Sequence, residues 1–85
     1  MKLYYRVIEA TQGSEWITKC DSKEEAIREA ERTWNHLTAT EKKTTGVMAV
    51  EFSQAEVDAD VEAGVFDEDE IDSNCASSYD VLVEF

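Results

Sequence analysis

Proline is absent from this 85-residue sequence, glycine occurs three times, and no basic residue follows Lys43. Without proline or a Gly/Ser-rich stretch there is nothing to divide the chain, so residues 1–85 are expected to form one domain, at the small end of the usual size range. Gly13, Gly46 and Gly64 are scattered, which excludes the glycine-rich loop that cradles nucleotide phosphates. Apolar runs fall far short of the ~20 residues needed to span a bilayer. The N-terminal MKLYYRVIEA alternates polar and apolar residues where a signal peptide needs an apolar block, so the expected location is cytoplasmic. Cys20 and Cys75 are 54 residues apart with no CxxC, and His36 stands alone. That is no zinc ligand set; incidental thiols are expected, with a disulfide as the alternative.

The missing bases give the strongest lead. Residues 1–50 hold eight acids and eight bases, whereas the remaining 35 hold twelve acids and none, so the whole net charge of −12 sits in the last two fifths of the chain. Nucleic-acid backbones and anionic membranes require neutralising Lys and Arg. Direct binding to either is therefore disfavoured, and a basic partner, or a cation, is what this half attracts.

Alternation around Leu3, Tyr5 and Val7 predicts a strand over 2–10, a turn at Thr11–Ser14 and a second strand over 15–20, forming a hairpin. Ser22 with Glu25 makes a capping box ahead of Ile27, Ala30, Trp34 and Leu37 at helical spacing, predicting a helix over 23–36 with Trp34 on its buried stripe. Thr38 and Glu41 can cap a further short turn. Strands follow over 47–52, with Met48, Val50 and Phe52 on one face, and over 79–85, with Tyr79, Val81, Val83 and Phe85 on one face. The fold class is α+β: a four-stranded antiparallel sheet with one main helix on one face, in the order β-β-α-β-acidic segment-β.

Residues 54–78 form the acidic segment. Glu56 to Ala63 alternates acid with apolar, the period of a strand, but Asp, Glu and Ala are depleted in strands. Ser53 with Glu56 forms a capping box and Gly64 occupies a C-terminal capping position, which favours a helix with Val57 and Val61 on a narrow stripe flanked by Glu56/Asp60 and Asp58/Glu62. Val65 and Phe66 are expected to anchor the segment, and Asp67-Glu68-Asp69-Glu70 to be loop. A calcium loop starting at Asp58 fails on spacing, because Gly64 falls at position 7 instead of 6 and Asp69 at position 12 instead of Glu. A paired-carboxylate hydrolase needs a groove with a low-dielectric wall, of which the sequence gives no sign. No cofactor is expected, and the chain reads as a non-enzyme.

Two surfaces remain as candidates. The acidic one comprises Glu56, Asp58, Asp60, Glu62, Asp67, Glu68, Asp69 and Glu70. Four carboxylates between residues 56 and 62 would lie within roughly 9 Å of helix axis, a line charge within about a factor of two of that of duplex DNA, suited to a basic nucleic-acid-binding protein. The other is the sheet face opposite the helix, bearing Tyr4, Ile8, Leu82 and Trp16 with Arg6 and Val47. Exposed, it would serve self-association or an adaptor role; alternatively the acidic segment folds across it.

Tyr4-Tyr5-Arg6-Val7, the Trp16 hairpin, Ser22-Lys23-Glu24-Glu25-Ala26, Trp34-Asn35-His36-Leu37-Thr38, Glu41-Lys42-Lys43 and Tyr79-Asp80-Val81 resemble small acidic proteins of unknown function carried on prophages and other mobile elements of Gram-positive bacteria. In size and charge the chain is similar to anti-CRISPR and anti-restriction inhibitors that imitate DNA. That similarity implies competition for a nucleic-acid-handling protein.

Overall fold

A computed structural model describes residues 2–85. Strands β1 (Leu3–Thr11) and β2 (Ser14–Cys20) form the hairpin. Gly13 takes φ 82° at its tip, while among the described residues no other residue type adopts positive φ, the demand a type II turn makes of its third residue. Helix α1 (Lys23–His36) follows, then β3 (Gly46–Ser53), helix α2 (Gln54–Glu62), a 3-10 helix over Glu68–Ser73, and β4 (Asp80–Glu84). All pairings are antiparallel and the strand order is β2-β1-β3-β4. The α+β sheet expected from the sequence is therefore the observed one.

Local chemistry explains the boundaries. Ser22 Oγ accepts the Glu25 N–H at 3.1 Å, which satisfies one free donor of the first turn of α1, while the Glu25 carboxylate reaches past the cap to the Asp21 N–H at 2.8 Å, so the expected capping box closes one residue earlier than on Ser22 itself. Thr38 and Glu41 make the fully reciprocal pair, the Glu41 carboxylate accepting the Thr38 N–H and the Thr38 hydroxyl the Glu41 N–H, ahead of a 3-10 turn over Glu41–Lys43. The inner side of α1 is small: Ala26 and Ala30 are fully buried against an equally buried Ala49, which lets the helix sit close to the sheet. Trp34, expected inside, is half-buried and stacks on Phe85 with ring centroids 6.0 Å apart.

Face assignments differ from the simple alternation. Residues directly opposite in an antiparallel pair share a face. Val7 pairs with Ala49 and Ile8 with Met48. Val47 and Ala49 therefore join Tyr5 and Val7 under α1, and Met48, Val50 and Phe52 lie on the other face with Tyr4 and Ile8. In β4 the register slips by one residue, Ala49 pairing with Val83 and Val50 with Val81. This bulge turns Leu82 toward α1 together with Val83 and leaves Val81 50% exposed.

Both faces are covered. α1 packs on one, and the acidic segment packs on the other, where Val57, Val61, Phe66, Ile71 and Ala76 join Ile8, Val50 and Phe52. The open apolar sheet face weighed above is not there. Ile8 is 3% exposed, Tyr4 is half-buried and stacked on Phe52 at 5.3 Å, Leu82 points to the α1 side, and Trp16, opposite Glu9, lies at the rim of the α1 side. Among the described residues no helix is long and apolar enough to cross a membrane.

Candidate functional site: the acidic layer

Ser53 ends β3 and caps α2. Its N–H donates to Glu56 Oε1 at 3.0 Å and its Oγ accepts the Glu56 N–H at 3.4 Å. Three residues after Val57, a second side chain turns inward, and it is Asp60. Its carboxylate accepts the Ser77 N–H at 2.7 Å, fixing the strand-like return toward β4. The helix closes in a Schellman motif: the Val65 N–H donates to the Asp60 carbonyl at 2.9 Å and the Gly64 N–H to the Val61 carbonyl at 3.1 Å, with Gly64 at φ 77°.

These bonds divide the four helical carboxylates expected to form one line of charge. Glu56 is occupied as a cap and Asp60 is buried, so neither is presented as a free charge. Asp58 and Glu62 face solvent, Asp58 accepting an exposed bond from Gln54 at 2.8 Å. The DNA-like charge density along α2 is accordingly halved. The denser patch comes later: Asp67, Asp69 and Glu70 are exposed and their carboxylates lie within 4.8 Å of one another, with Glu68 exposed beside them. Expected as loop, these residues enter a 3-10 helix in which Glu70 Oε1 accepts the Asp67 N–H at 3.2 Å. Of the two expected anchors, Phe66 packs on the core while Val65 is exposed; Ile71 takes the second anchoring role.

The residue that holds the layer down is Arg6, which the sequence reading left without a role. Its side chain is 1% exposed. Nε donates to the Asn74 carbonyl at 3.0 Å, one terminal nitrogen to the Ile71 carbonyl at 2.8 Å and the other to the Tyr5 carbonyl at 2.7 Å. The guanidinium carbon sits 5.4 Å from the Phe52 ring centre and 5.7 Å from that of Tyr4. Burial pulls its pKa down from the ordinary value, and nearby Asp72 pushes it back up. A single arginine between Tyr4 and Ile8 on a face that otherwise reads apolar was the available signal. At the edge, Lys19 reaches Asp72 at 3.2 Å. Asp58, Glu62 and the carboxylates of 67–70 have no basic partner among the described residues.

Other chemistry-bearing groups lie apart. A groove of about 310 Å³ is lined by Ile8, Ala10, Met48, Glu84 and Phe85, and one of about 410 Å³ runs along α1 past Arg28, Arg32 and His36; the carboxylates of 67–70 line neither. Cys20 is under α1 and Cys75 is under the acidic layer, both unpaired and on opposite sides of the sheet. Burial pushes each thiol up to about 11. Below the pKa of an unfolded cysteine both states keep the proton, so stability is unaffected. As pH rises from about 8.5 toward 11 the unfolded thiols ionise first and the native state loses stability. Thermal melts are therefore expected to fall across this window. A Cys20→Ser/Cys75→Ser variant should show a shallower decline, and an equal decline would refute the assignment.

Compared with protein-family models, curated proteins and solved structures, the chain matches none of them.

Proposed function

We propose that the chain is a non-enzymatic, cytoplasmic interaction module whose acidic layer docks on a basic protein surface of the kind that otherwise holds nucleic-acid phosphates. The observation that supports this is the arrangement of charge by layer. The uneven sequence distribution becomes a face on which Asp58, Glu62, Asp67, Glu68, Asp69 and Glu70 point outward without a base to pair them, while the inward side of the same segment is fastened to the sheet. A surface held this way meets its partner with little further ordering to do, which favours affinity. The covered apolar face favours this reading over the one through Tyr4, Ile8 and Leu82. Two free cysteines on opposite sides of the sheet accord with a reducing compartment, and the similarity in size and charge to DNA-imitating inhibitors points the same way.

The test neutralises only outward carboxylates: Glu62→Gln, Asp67→Asn, Glu68→Gln and Asp69→Asn together, leaving Glu56, Asp60 and Glu70 in their structural bonds. The quadruple variant should melt at or slightly above the parent temperature, since crowded like charges are relieved. Proteins retained by the parent from the native cytoplasm at low salt, and released at moderate salt as the Debye length shrinks to ~8 Å, should bind the variant at least about tenfold more weakly. Duplex DNA should compete with the parent chain for the same protein. Undiminished binding with unchanged salt dependence would remove the acidic layer from the interface.

A further inference from the structure

The outer edge of β2 remains unexplained by the acidic layer. β2 is a terminal strand of the sheet, and from Ser14 to Lys19 every residue except Ile17 is exposed, including Trp16 at 68%. An edge of this length with an aromatic on it is a template for another strand, which proteins usually blunt with prolines, bulges or covering elements. Here the ladder with β1 is regular from Tyr5–Cys20 to Thr11–Ser14.

We propose that β2 pairs antiparallel with β2 of a second copy of this chain, centred on Ile17, to make a continuous eight-stranded sheet. The backbone permits it. The two-residue turn closes Thr11 and Ser14 as a hydrogen-bonding pair, and the alternation of antiparallel ladders then turns the N–H and C=O groups of Glu15, Ile17 and Lys19 outward. Registers that match outward groups with outward groups differ by two residues, so only a few compete. Centring on Ile17 sets Glu15 opposite Lys19 of the second copy, and the two-fold axis generates that pair twice. Moving the centre to Thr18 sets Glu15 opposite Asp21, two acids, and moving it to Trp16 sets Lys19 opposite Gly13. Charge therefore selects the Ile17 register.

The same register accounts for Trp16. Trp16 falls opposite Thr18 of the second copy, and the two Trp16 side chains become diagonal neighbours on one face, roughly 7 to 8 Å apart and within aromatic reach. Lys19 keeps its contact to Asp72 at 3.2 Å because an ammonium has three donors. The opposite edge, β4, does not offer this solution: self-pairing about Leu82 sets Asp80 against Glu84 at both ends. The inference does not depend on what the acidic layer binds.

The experiment is sedimentation equilibrium at about 0.15 M salt, where a Debye length of ~8 Å screens the acidic layers from each other, over a series from millimolar to micromolar chain. The parent should show a reversible monomer–dimer equilibrium with a near-ultraviolet circular dichroism change as the two indoles separate on dilution. Glu15→Lys and Lys19→Glu each replace two attractive cross-strand pairs with two repulsive ones, and each should weaken self-association by about tenfold or more. The double variant E15K/K19E restores opposite charges in both pairs and should restore the dimer. Glu15 has no side-chain hydrogen bond or ion pair among the described residues, so Glu15→Lys tests the interface without disturbing the fold. A parent that stays monomeric throughout, single reversals without effect, or a double variant that fails to recover would overturn the proposal.

Discussion

Replacing Arg6 with alanine is expected to remove roughly 3 to 5 kcal/mol of stability, since the carbonyls of Ile71 and Asn74 lose their donor in a buried setting and each such group costs about 1–3 kcal/mol. A cavity beside the stacked Phe52 and Tyr4 rings adds to this. A chain of this length has on the order of 4 to 13 kcal/mol in total, so Arg6→Ala brings it near the unfolding threshold. Arg6→Lys keeps the charge but lacks the planar fork that serves three carbonyls, and should fall between the two. Urea unfolding separates two ways of failing. Loss of the acidic layer alone in the native state would lower the m-value, because less surface remains to be exposed; global destabilisation lowers the midpoint at constant m. A midpoint for Arg6→Ala within about 0.5 kcal/mol of the parent, the range of an ordinary surface change, would mean that the guanidinium is not the fastening.

Phe52→Ala should cost about 3–5 kcal/mol, the range for deleting a buried aromatic. Phe52 is 1% exposed, stacks on Tyr4 at an interplanar angle of 11° and lies directly before the Ser53 cap of α2. Phe52→Leu fills most of the volume but offers no π-face to the guanidinium, so it should lose less. Because Phe52 and Arg6 touch, their effects should not add. A double-mutant cycle on Arg6→Lys and Phe52→Leu is expected to show coupling, whereas strict additivity would mean that the ring and the guanidinium act independently.

How much of this was legible in the sequence follows from which signals are local. α1 was legible to the residue at both ends, because Ser22 and Glu25 state its start and the spacing of Ile27, Ala30 and Trp34 states its face. α2 was legible from Ser53, Glu56 and Gly64 against its own strand-like alternation. Face assignment in β3 was not. Val47-Met48-Ala49-Val50 is apolar on both sides, so period two leaves two equivalent choices, and only the register with β1 decides. That same lack of polar alternation is the mark of a strand covered on both faces, and it was the clue that the acidic segment folds over the sheet. Leu82 was misplaced because a bulge breaks the alternation without a glycine to announce it. Within the candidate site, the carboxylates of 67–70 were identified as a cluster from composition alone. The inward turn of Asp60 was hidden because its partner, the Ser77 N–H, is seventeen residues away and carries no side-chain signature.

Arg6 grips its segment by backbone carbonyls, and this has a consequence for how the molecule can vary. A fastening that reads carbonyl oxygens at residues 71 and 74 is indifferent to which side chains leave those positions on the outer side. Substitutions at Asp67, Glu68 or Asp69 can accumulate without loosening it, each within the small range of an exposed change. The charge pattern is thereby separable from the scaffold that displays it. A chain built on this plan can be re-addressed to a differently shaped basic surface by drift in a handful of exposed positions, while the arginine that grips the layer lies in the first strand.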